Sequence, residues 1–379
     1  MRLGSFQLPN GASLSYAEYG TSTGNPVLLF HGLVGSICSE GMEESLCGLP
    51  VRVIALARPG YGASDYFDMD CVADWGRLLA EFWDHLELWS FDIVGISAGA
   101  PYAYSLAALY PDRIGTLYIN SGIPAVCFPN VLAQYPAQDA ALYRAFRGMS
   151  RQEAGQALYD SYLPLFPEAA LQSRDFRDSM GSDLRNIGQE AKLQEAPWGF
   201  KLSEVRCPVV LLHGTADSEV PYSAMEETAK ELPHARIIKL EGEEHASPAI
   251  TDRLMEELRQ GMSRLFRRDS SGRIFYQHPK AGGLGWEADG RHDELGTRSS
   301  GPLGAELPET ESRSHHTGPW LRRWSQSGRP AEAVSRRHSR GSGLLLRQRE
   351  KSERCKLPSH RRGTVPGNPG GCAGTAFCR

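Results

Sequence analysis

The sequence contains no apolar run approaching the ~18–20 residues of a membrane-crossing helix, and residues 1–10 (MRLGSFQLPN) lack the basic-then-apolar pattern of a secretory leader. A cytoplasmic protein without a membrane partner is therefore expected. Five of the eight cysteines fall in residues 1–268, at Cys38, Cys47, Cys71, Cys127 and Cys207, and none is spaced C-x-x-C. Reduced thiols fit this pattern better than a disulfide framework or a metal site. His, Cys and carboxylate residues do not cluster at metal-ligand spacing, and G-x-G-x-x-G is absent, so neither a metal nor a dinucleotide cofactor is expected. Excess basic charge is also missing where a core could form. In residues 1–268 Asp and Glu outnumber Lys and Arg by twelve, which argues against nucleic acid as a partner.

Residues 269–379 reverse that balance, with basic residues ahead by eight, and Gly, Ser, Pro and Arg dominate there. Leu344-Leu345-Leu346 is the single apolar cluster in this stretch. Such a composition buries too little apolar surface to offset chain entropy, so a disordered tail is expected over 269–379. Residues 1–268 alternate strand-like and helix-like patterns, which implies an α/β fold with a mostly parallel sheet. Pro9-Asn10-Gly11 sits between two short apolar or alternating runs and reads as a hairpin turn. Strands are expected at Pro26–Phe30, Val51–Ala57, Ile93–Ile96, Gly115–Asn120, Pro208–His213 and Arg236–Leu240, the first three as buried runs. Amphipathic spacing predicts one helix over Asp74–Leu88 and a closing helix from about Thr251 to Phe266. Between Ile123 and Trp198 the alternation stops. Helical patches at 140–146, 151–162 and 182–193 are joined by Pro-containing links, so an all-helical insertion is expected over 123–198. That divides the chain into 1–122, the insertion, 199–268 and the tail.

The centre of this plan is Gly95-Ile96-Ser97-Ala98-Gly99, between a β-branched strand and an Ala/Leu/Tyr-rich helix that Pro111 stops. G-x-S-x-G at a sharp strand-to-helix turn pushes the serine hydroxyl out at the end of the sheet. A serine needs a base within hydrogen-bond reach, and the base needs a carboxylate to orient it. Ser97, Asp217 and His245 all follow expected strands, in the chain order that accompanies such a turn. Together with His31-Gly32, R-P-G-x-G-x-S at 58–64, and P-V-x-x-x-H-G-x-x-D-x-x-V-P at 208–221, they resemble the α/β-hydrolase superfamily over 1–268. The likeness is nearest to cap-bearing esterase- and aminopeptidase-like members.

That resemblance implies an α/β-hydrolase sheet flanked by helices, with a helical cap at 123–198. It implies Ser97 as nucleophile, His245 as base, Asp217 as acid, and an oxyanion hole made by the backbone amides of Leu33 and Ala98. No cofactor is implied, and the partner is a small-molecule substrate; oligomeric state is unspecified. Ester hydrolysis through an acyl-enzyme is the leading expectation. The alternatives are an N-terminal-proline peptidase, for which Asp139, Glu153, Asp160 or Glu168 could bind the amine, and a non-catalytic binding protein of the same fold. Asp217 could instead cap the following helix and leave Glu219 to orient His245. His31 and His213 read as structural neighbours of the cleft, His85 and His234 as surface residues. Glu243 and Glu244, being anionic, are expected to favour the imidazolium form of His245.

Overall fold

The computed structural model describes residues 1–39, 41–180, 183–268 and 274–276. Stretches rich in Val, Ile, Leu and Phe become eight strands of one sheet. They are β1 (Arg2–Gln7), β2 (Ser13–Gly20), β3 (Asn25–Phe30), β4 (Val51–Leu56), β5 (Phe91–Ile96), β6 (Ile114–Asn120), β7 (Val209–Gly214) and β8 (Ala235–Leu240). Their order is β1-β2-β4-β3-β5-β6-β7-β8. The pairs β1/β2 and β2/β4 are antiparallel, and every pair from β4 to β8 is parallel. The mostly parallel sheet expected from the alternation is present.

Helices occupy α1 (Met42–Ser45), α2 (Val72–Leu78), α3 (Phe82–His85), α4 (Ala100–Leu109), α5 (Pro129–Leu132), α6 (Ala137–Ala145), α7 (Arg151–Tyr162), α8 (Glu168–Leu171), α9 (Arg174–Met180), α10 (Arg185–Glu195), α11 (Tyr222–Ala229) and α12 (Pro248–Leu265). Successive strand residues face opposite sides of the sheet, and the core divides accordingly. Leu28, Phe30 and Ile54 pack with Trp75, Phe82 and Leu106, whereas Val27, Leu29 and Val53 pack in the cluster holding Leu254 and Leu258. With helices on both faces, all six residues of β5 are buried, including Asp92, whose Oδ1 accepts from the Thr116 amide.

Two expectations are corrected here. The single helix expected over Asp74–Leu88 is two helices, α2 and α3. The backbone tightens between them, with Ala80 donating to the Arg77 carbonyl and Phe82 to that of Leu79. Bonds of this three-residue spacing change the rotation per residue, so the apolar pattern continues while the α-helix does not. The second correction concerns β9 (Phe266–Arg268), which pairs antiparallel with β10 (Ile274–Tyr276). The closing helix stops one residue short of Phe266, and Ile274-Phe275-Tyr276, a β-favouring triplet, forms a strand inside the stretch expected to be disordered. The rest of that stretch lies outside the described residues.

Between β6 and β7 the described chain is helical, from α5 to α10, in keeping with the break in alternation. α7 begins at Ser150, whose Oγ accepts from the Glu153 amide at 3.2 Å while Glu153 Oε2 accepts from the Ser150 amide at 2.7 Å. This reciprocal pair satisfies two amides that the helix leaves open.

Candidate active site

The carboxyl ends of the parallel strands carry every site residue that the sequence singles out. β5 runs through Gly95 into Ser97, whose φ of 49° is left-handed. A side chain pays a strain of order 1–3 kcal/mol to remain in that region, so the surroundings must hold it there. Two features do so. The Ile123 amide donates to the Ser97 carbonyl at 3.0 Å. The flanking glycines let the backbones close in: a Cβ on Gly95 would lie 2.9 Å from that of Ala103, and one on Gly99 would meet the His31 carbonyl oxygen at 2.8 Å. The serine is thereby fixed over the start of α4.

Asp217 follows β7. Its Oδ1 accepts from the amides of Glu219 at 3.0 Å and Val220 at 2.8 Å, which folds the loop around the carboxylate. Its Oδ2 lies 2.8 Å from His245 Nδ1, and His245 Nε2 lies 3.0 Å from Ser97 Oγ. The alternative in which Asp217 caps the following helix is not what the structure shows, since α11 has no side-chain cap and Oδ1 accepts within the loop instead. His245 follows β8 and is seated from the neighbouring strands. The Ala246 amide donates to Ser121 Oγ at 3.0 Å, and the Ala216 amide donates to the Glu243 carbonyl, also at 3.0 Å.

Charge at this cluster is strongly organised. Burial pushes the Asp217 carboxyl up, but His245 and a hydrogen bond from His213 outweigh it and hold the group well below the usual carboxylate range. Burial pushes His245 down, yet Glu219 and Asp217 overcome that and raise it to about 9. Glu219 Oε2 lies 4.0 Å from His245 Nε2. The anion that favours the imidazolium is therefore Glu219, not Glu243 or Glu244 as the adjacent positions suggested. Neighbours in sequence along a loop point apart, whereas Glu219 reaches the ring from the end of the next strand. Glu244 acts at one remove, by raising Glu219.

His213 Nε2 donates to the Val220 carbonyl at 2.9 Å and lies 3.2 Å from Asp217 Oδ2, so this histidine braces the carboxylate. His31 is buried and held neutral, well below its ordinary value, by burial and by the adjacent Arg58. Sequence reasoning missed Arg58 and Glu190. Arg58 is wholly buried and donates through Nη2 to the Gly32 carbonyl at 2.9 Å and to Glu190 Oε2 at 3.1 Å, with further bonds to the His31 carbonyl and Glu190 Oε1. This ties the loop after β3 to α10. The Arg-Pro-Gly motif marked Arg58, but Glu190 could not be told from an exposed helix charge.

Leu33, Ser97 and Ala98 line one cavity of about 210 Å³, roofed by Tyr143 and Tyr162 from α6 and α7 and by Tyr135 from the link before α6. A second cavity of about 50 Å³ reaches Ser97 from the side of His31, Met42 and Ile96. Of the carboxylates considered for amine binding, Asp139 lines the larger cavity. Glu153 caps α7, Asp160 accepts from Gln156 on the outer face, and Glu168 is exposed in α8. Among the described residues no group of His, Cys and carboxylates could hold a metal ion, and no helix is long and apolar enough to cross a membrane. Cys38, Cys71, Cys127 and Cys207 are free thiols, as expected; Cys47 is disulfide-bonded, which the spacing had not suggested.

Residues 27–257 match the model of the alpha/beta hydrolase family. An uncharacterised hydrolase of Bacillus subtilis, YcgS, is 31% identical over 30% of this chain and 39% of its own length. A putative 2-succinyl-6-hydroxy-2,4-cyclohexadiene-1-carboxylate synthase, also of Bacillus subtilis, is 28% identical over 60% of this chain and 86% of its own. Among solved structures, a thermophilic esterase from Thermogutta terrifontis with malate bound superposes with a TM-score of 0.52. It is 19% identical and aligns over 70% of this chain and 99% of its own.

Proposed function

We propose that this chain, which belongs to the alpha/beta hydrolase family, is a serine hydrolase of small-molecule esters, with Ser97 as nucleophile, His245 as base and Asp217 as orienting acid. The observation that carries the reading is the continuous line from Asp217 Oδ2 through His245 to Ser97 Oγ, with steps of 2.8 and 3.0 Å. An acceptor carboxylate on Nδ1 fixes the tautomer in which Nε2 is free to take the serine proton. Neutral His245 would remove that proton as Oγ attacks the ester carbonyl. Charge then collects on the carbonyl oxygen, where the Leu33 and Ala98 amides would stabilise it. The imidazolium would return the proton to the departing alcohol, leaving Ser97 acylated. Water entering from the cavity would be activated by the same ring and would release the acid. No cofactor is needed at any step.

The helices from α5 to α10 would act as the cap that shapes the cleft, with the sheet-bearing segments 1–122 and 199–268 supplying the chemistry. The amine-binding carboxylates of a proline peptidase would have to converge on the cleft. Of the four candidates Asp139 alone lines the cleft, while Glu153, Asp160 and Glu168 are directed elsewhere, which favours the ester reading. A binding protein would not require the strained Ser97 backbone to be held against a histidine at 3.0 Å. The test is rapid-quench turnover of p-nitrophenyl acetate. An initial release of nitrophenol equal to the enzyme concentration, with an acetyl adduct on Ser97 by peptide mass, is expected. Hydrolysis without a burst or adduct, in an enzyme whose chemical step is not limiting, would remove the acyl-enzyme route.

A further inference from the structure

We propose that the helices inserted between β6 and β7 set one half of the oxyanion hole, with Arg58, Glu190 and Ser179 as positioning residues for the Leu33 amide. This deepens the serine-hydrolase reading and rests on it. The Leu33 amide shares its peptide with the Gly32 carbonyl, and in a trans peptide the two point to opposite sides. Whatever holds the carbonyl therefore aims the amide. The Gly32 carbonyl accepts from Arg58 Nη2 at 2.9 Å and lies 2.8 Å from His31 Nδ1. Arg58 also holds the preceding carbonyl, that of His31. Two successive peptide planes are thereby fixed from behind. On the front side Leu33 borders the cavity that contains Ser97. Leu33 is 7% exposed, yet its amide donates to no acceptor among the described residues. Buried amides are nearly always paired, so an unpaired one at this place is a donor kept for an oxygen that arrives with the substrate.

The clamps on this loop come from the inserted helices. Glu190 of α10 binds the Arg58 guanidinium through both carboxylate oxygens. The rings of Tyr61 and Tyr102 flank the guanidinium carbon, at 4.8 and 5.2 Å from their centroids. With Glu190 on one edge of the planar fork, the other edge is turned to the two carbonyls. Gly35, further along the loop, is held by α9. Its amide donates to Ser179 Oγ at 2.7 Å, and its carbonyl oxygen lies 2.9 Å from the same hydroxyl. Ser36 Oγ donates to Asp178 Oδ2 at 2.5 Å beside it. Leu33 and Val34 thus span two points fixed by different helices. The Ala98 amide, by contrast, belongs to the strand-to-helix turn of Ser97 itself. One amide of the hole is set by the sheet and the other by the inserted helices, which makes those helices part of the catalytic frame.

Ser179→Ala, which removes one hydroxyl, and Glu190→Gln, which keeps the side-chain size, release the loop from α9 and from α10 in turn. Losing an oxyanion donor outright costs about 10²–10³ in kcat, and a donor present but unclamped should cost about ten- to a hundredfold. Such a donor acts on the charged intermediate alone, so kcat for p-nitrophenyl acetate should fall while KM stays. The acidic limb of kcat/KM should also stay, because Asp217 and His245 are untouched; a general loosening of the site would move it. A phenethyl trifluoromethyl ketone gives the second readout. Ser97 Oγ adds to its carbonyl carbon, the serine proton passes to His245, and the former carbonyl oxygen becomes the anion that the hole binds. Its inhibition constant should rise in each variant by the factor by which kcat/KM falls. That of the corresponding secondary alcohol, which cannot form the adduct, should not change. Folded variants with unaltered kcat and unaltered ketone affinity would overturn the positioning role. So would equal losses for ketone and alcohol, which would mean that the pocket and not the hole is damaged. If Glu190→Gln fails to fold, Ser179→Ala decides. Fluorophosphonate labelling of Ser97 in the unaltered protein separates the two readings: where it occurs, only the positioning is at stake, and where it fails, the hydrolase reading falls and this inference with it.

Discussion

The ends of the sheet strands and the helices that lie over them are built to different rules. At the strand ends the line from Asp217 to Ser97 is fully engaged: both oxygens of Asp217, both nitrogens of His245 and the carbonyl of Ser97 have partners at 2.8–3.0 Å. Under the helices the cavity is walled mostly by apolar and phenolic side chains, among them Leu142, Tyr143, Phe146, Leu158 and Tyr162. The buried ion pair Arg58–Glu190 joins the two regions, together with hydrogen bonds such as those of Gly35 with Ser179 and Met69 with Gln189. The difference separates a polar line fixed by hydrogen bonds at the strand ends from a cleft wall that side-chain packing shapes.

That comparison can be broken at several points, and the largest effect is expected at the nucleophile. Ser97→Ala should reduce kcat by something on the order of 10⁶, measured with p-nitrophenyl acetate. Asp217→Asn should cost on the order of 10⁴ by holding the wrong imidazole tautomer, with Km little changed. An Asp217→Asn enzyme of near-normal rate would return the orienting role to Glu219.

Glu190→Ala probes the joint between the regions. It leaves the Arg58 guanidinium buried without its counter-ion, and stability in urea should fall by about 3–5 kcal/mol. If stability held, the pair would not be what fastens α10 to the loop after β3.

The pH dependence sharpens the comparison further. His245 must be neutral to act as base, and its raised value places the acidic limb of kcat/KM on the alkaline side of neutrality, towards about 9. The sign for stability follows: a histidine raised in the fold adds stability below its ordinary value, near 6.5, and that contribution is lost as pH climbs towards 9. Glu219→Gln should lower the limb and flatten the loss. Glu244→Gln should move the limb by less, because Glu244 acts on Glu219 and not on the ring. A larger shift from Glu244→Gln than from Glu219→Gln would reverse the order of these two groups.

How much of this could be read from the residues follows the same division. Strand-end groups announce themselves because small residues, a serine, a carboxylate and a histidine fall at set points relative to apolar runs. The strand ends bearing Ser97, Asp217 and His245 were located that way, and so were β3 to β8. The backbone between α2 and α3 was not legible, since Trp75, Leu79, Phe82 and Trp83 keep an apolar face across the three-residue turn. Nor was the burial of α10, a helix the sequence did suggest, where Asn186, Gln189, Glu190, Gln194 and Glu195 are buried although their polarity marks a solvent face. Only the tertiary partner, Arg58 for Glu190 and Arg147 for Glu195, makes such burial possible. Glu219 was noticed for the wrong task. Its distance to Nε2, and not to Nδ1, separates tuning the base from orienting it.

The central claim is that Ser97 is a nucleophile activated by His245, and a fluorophosphonate probe tests it most directly. Reaction forms a bond from Oγ to phosphorus and expels fluoride, which needs the same base and the same amides as attack on an ester. Intact-mass measurement after exposure should show one adduct per chain, peptide mapping should place it on Ser97, and His245→Ala should slow its formation by orders of magnitude. A folded protein that stays unlabelled, or that labels at the same rate without His245, would contradict the account.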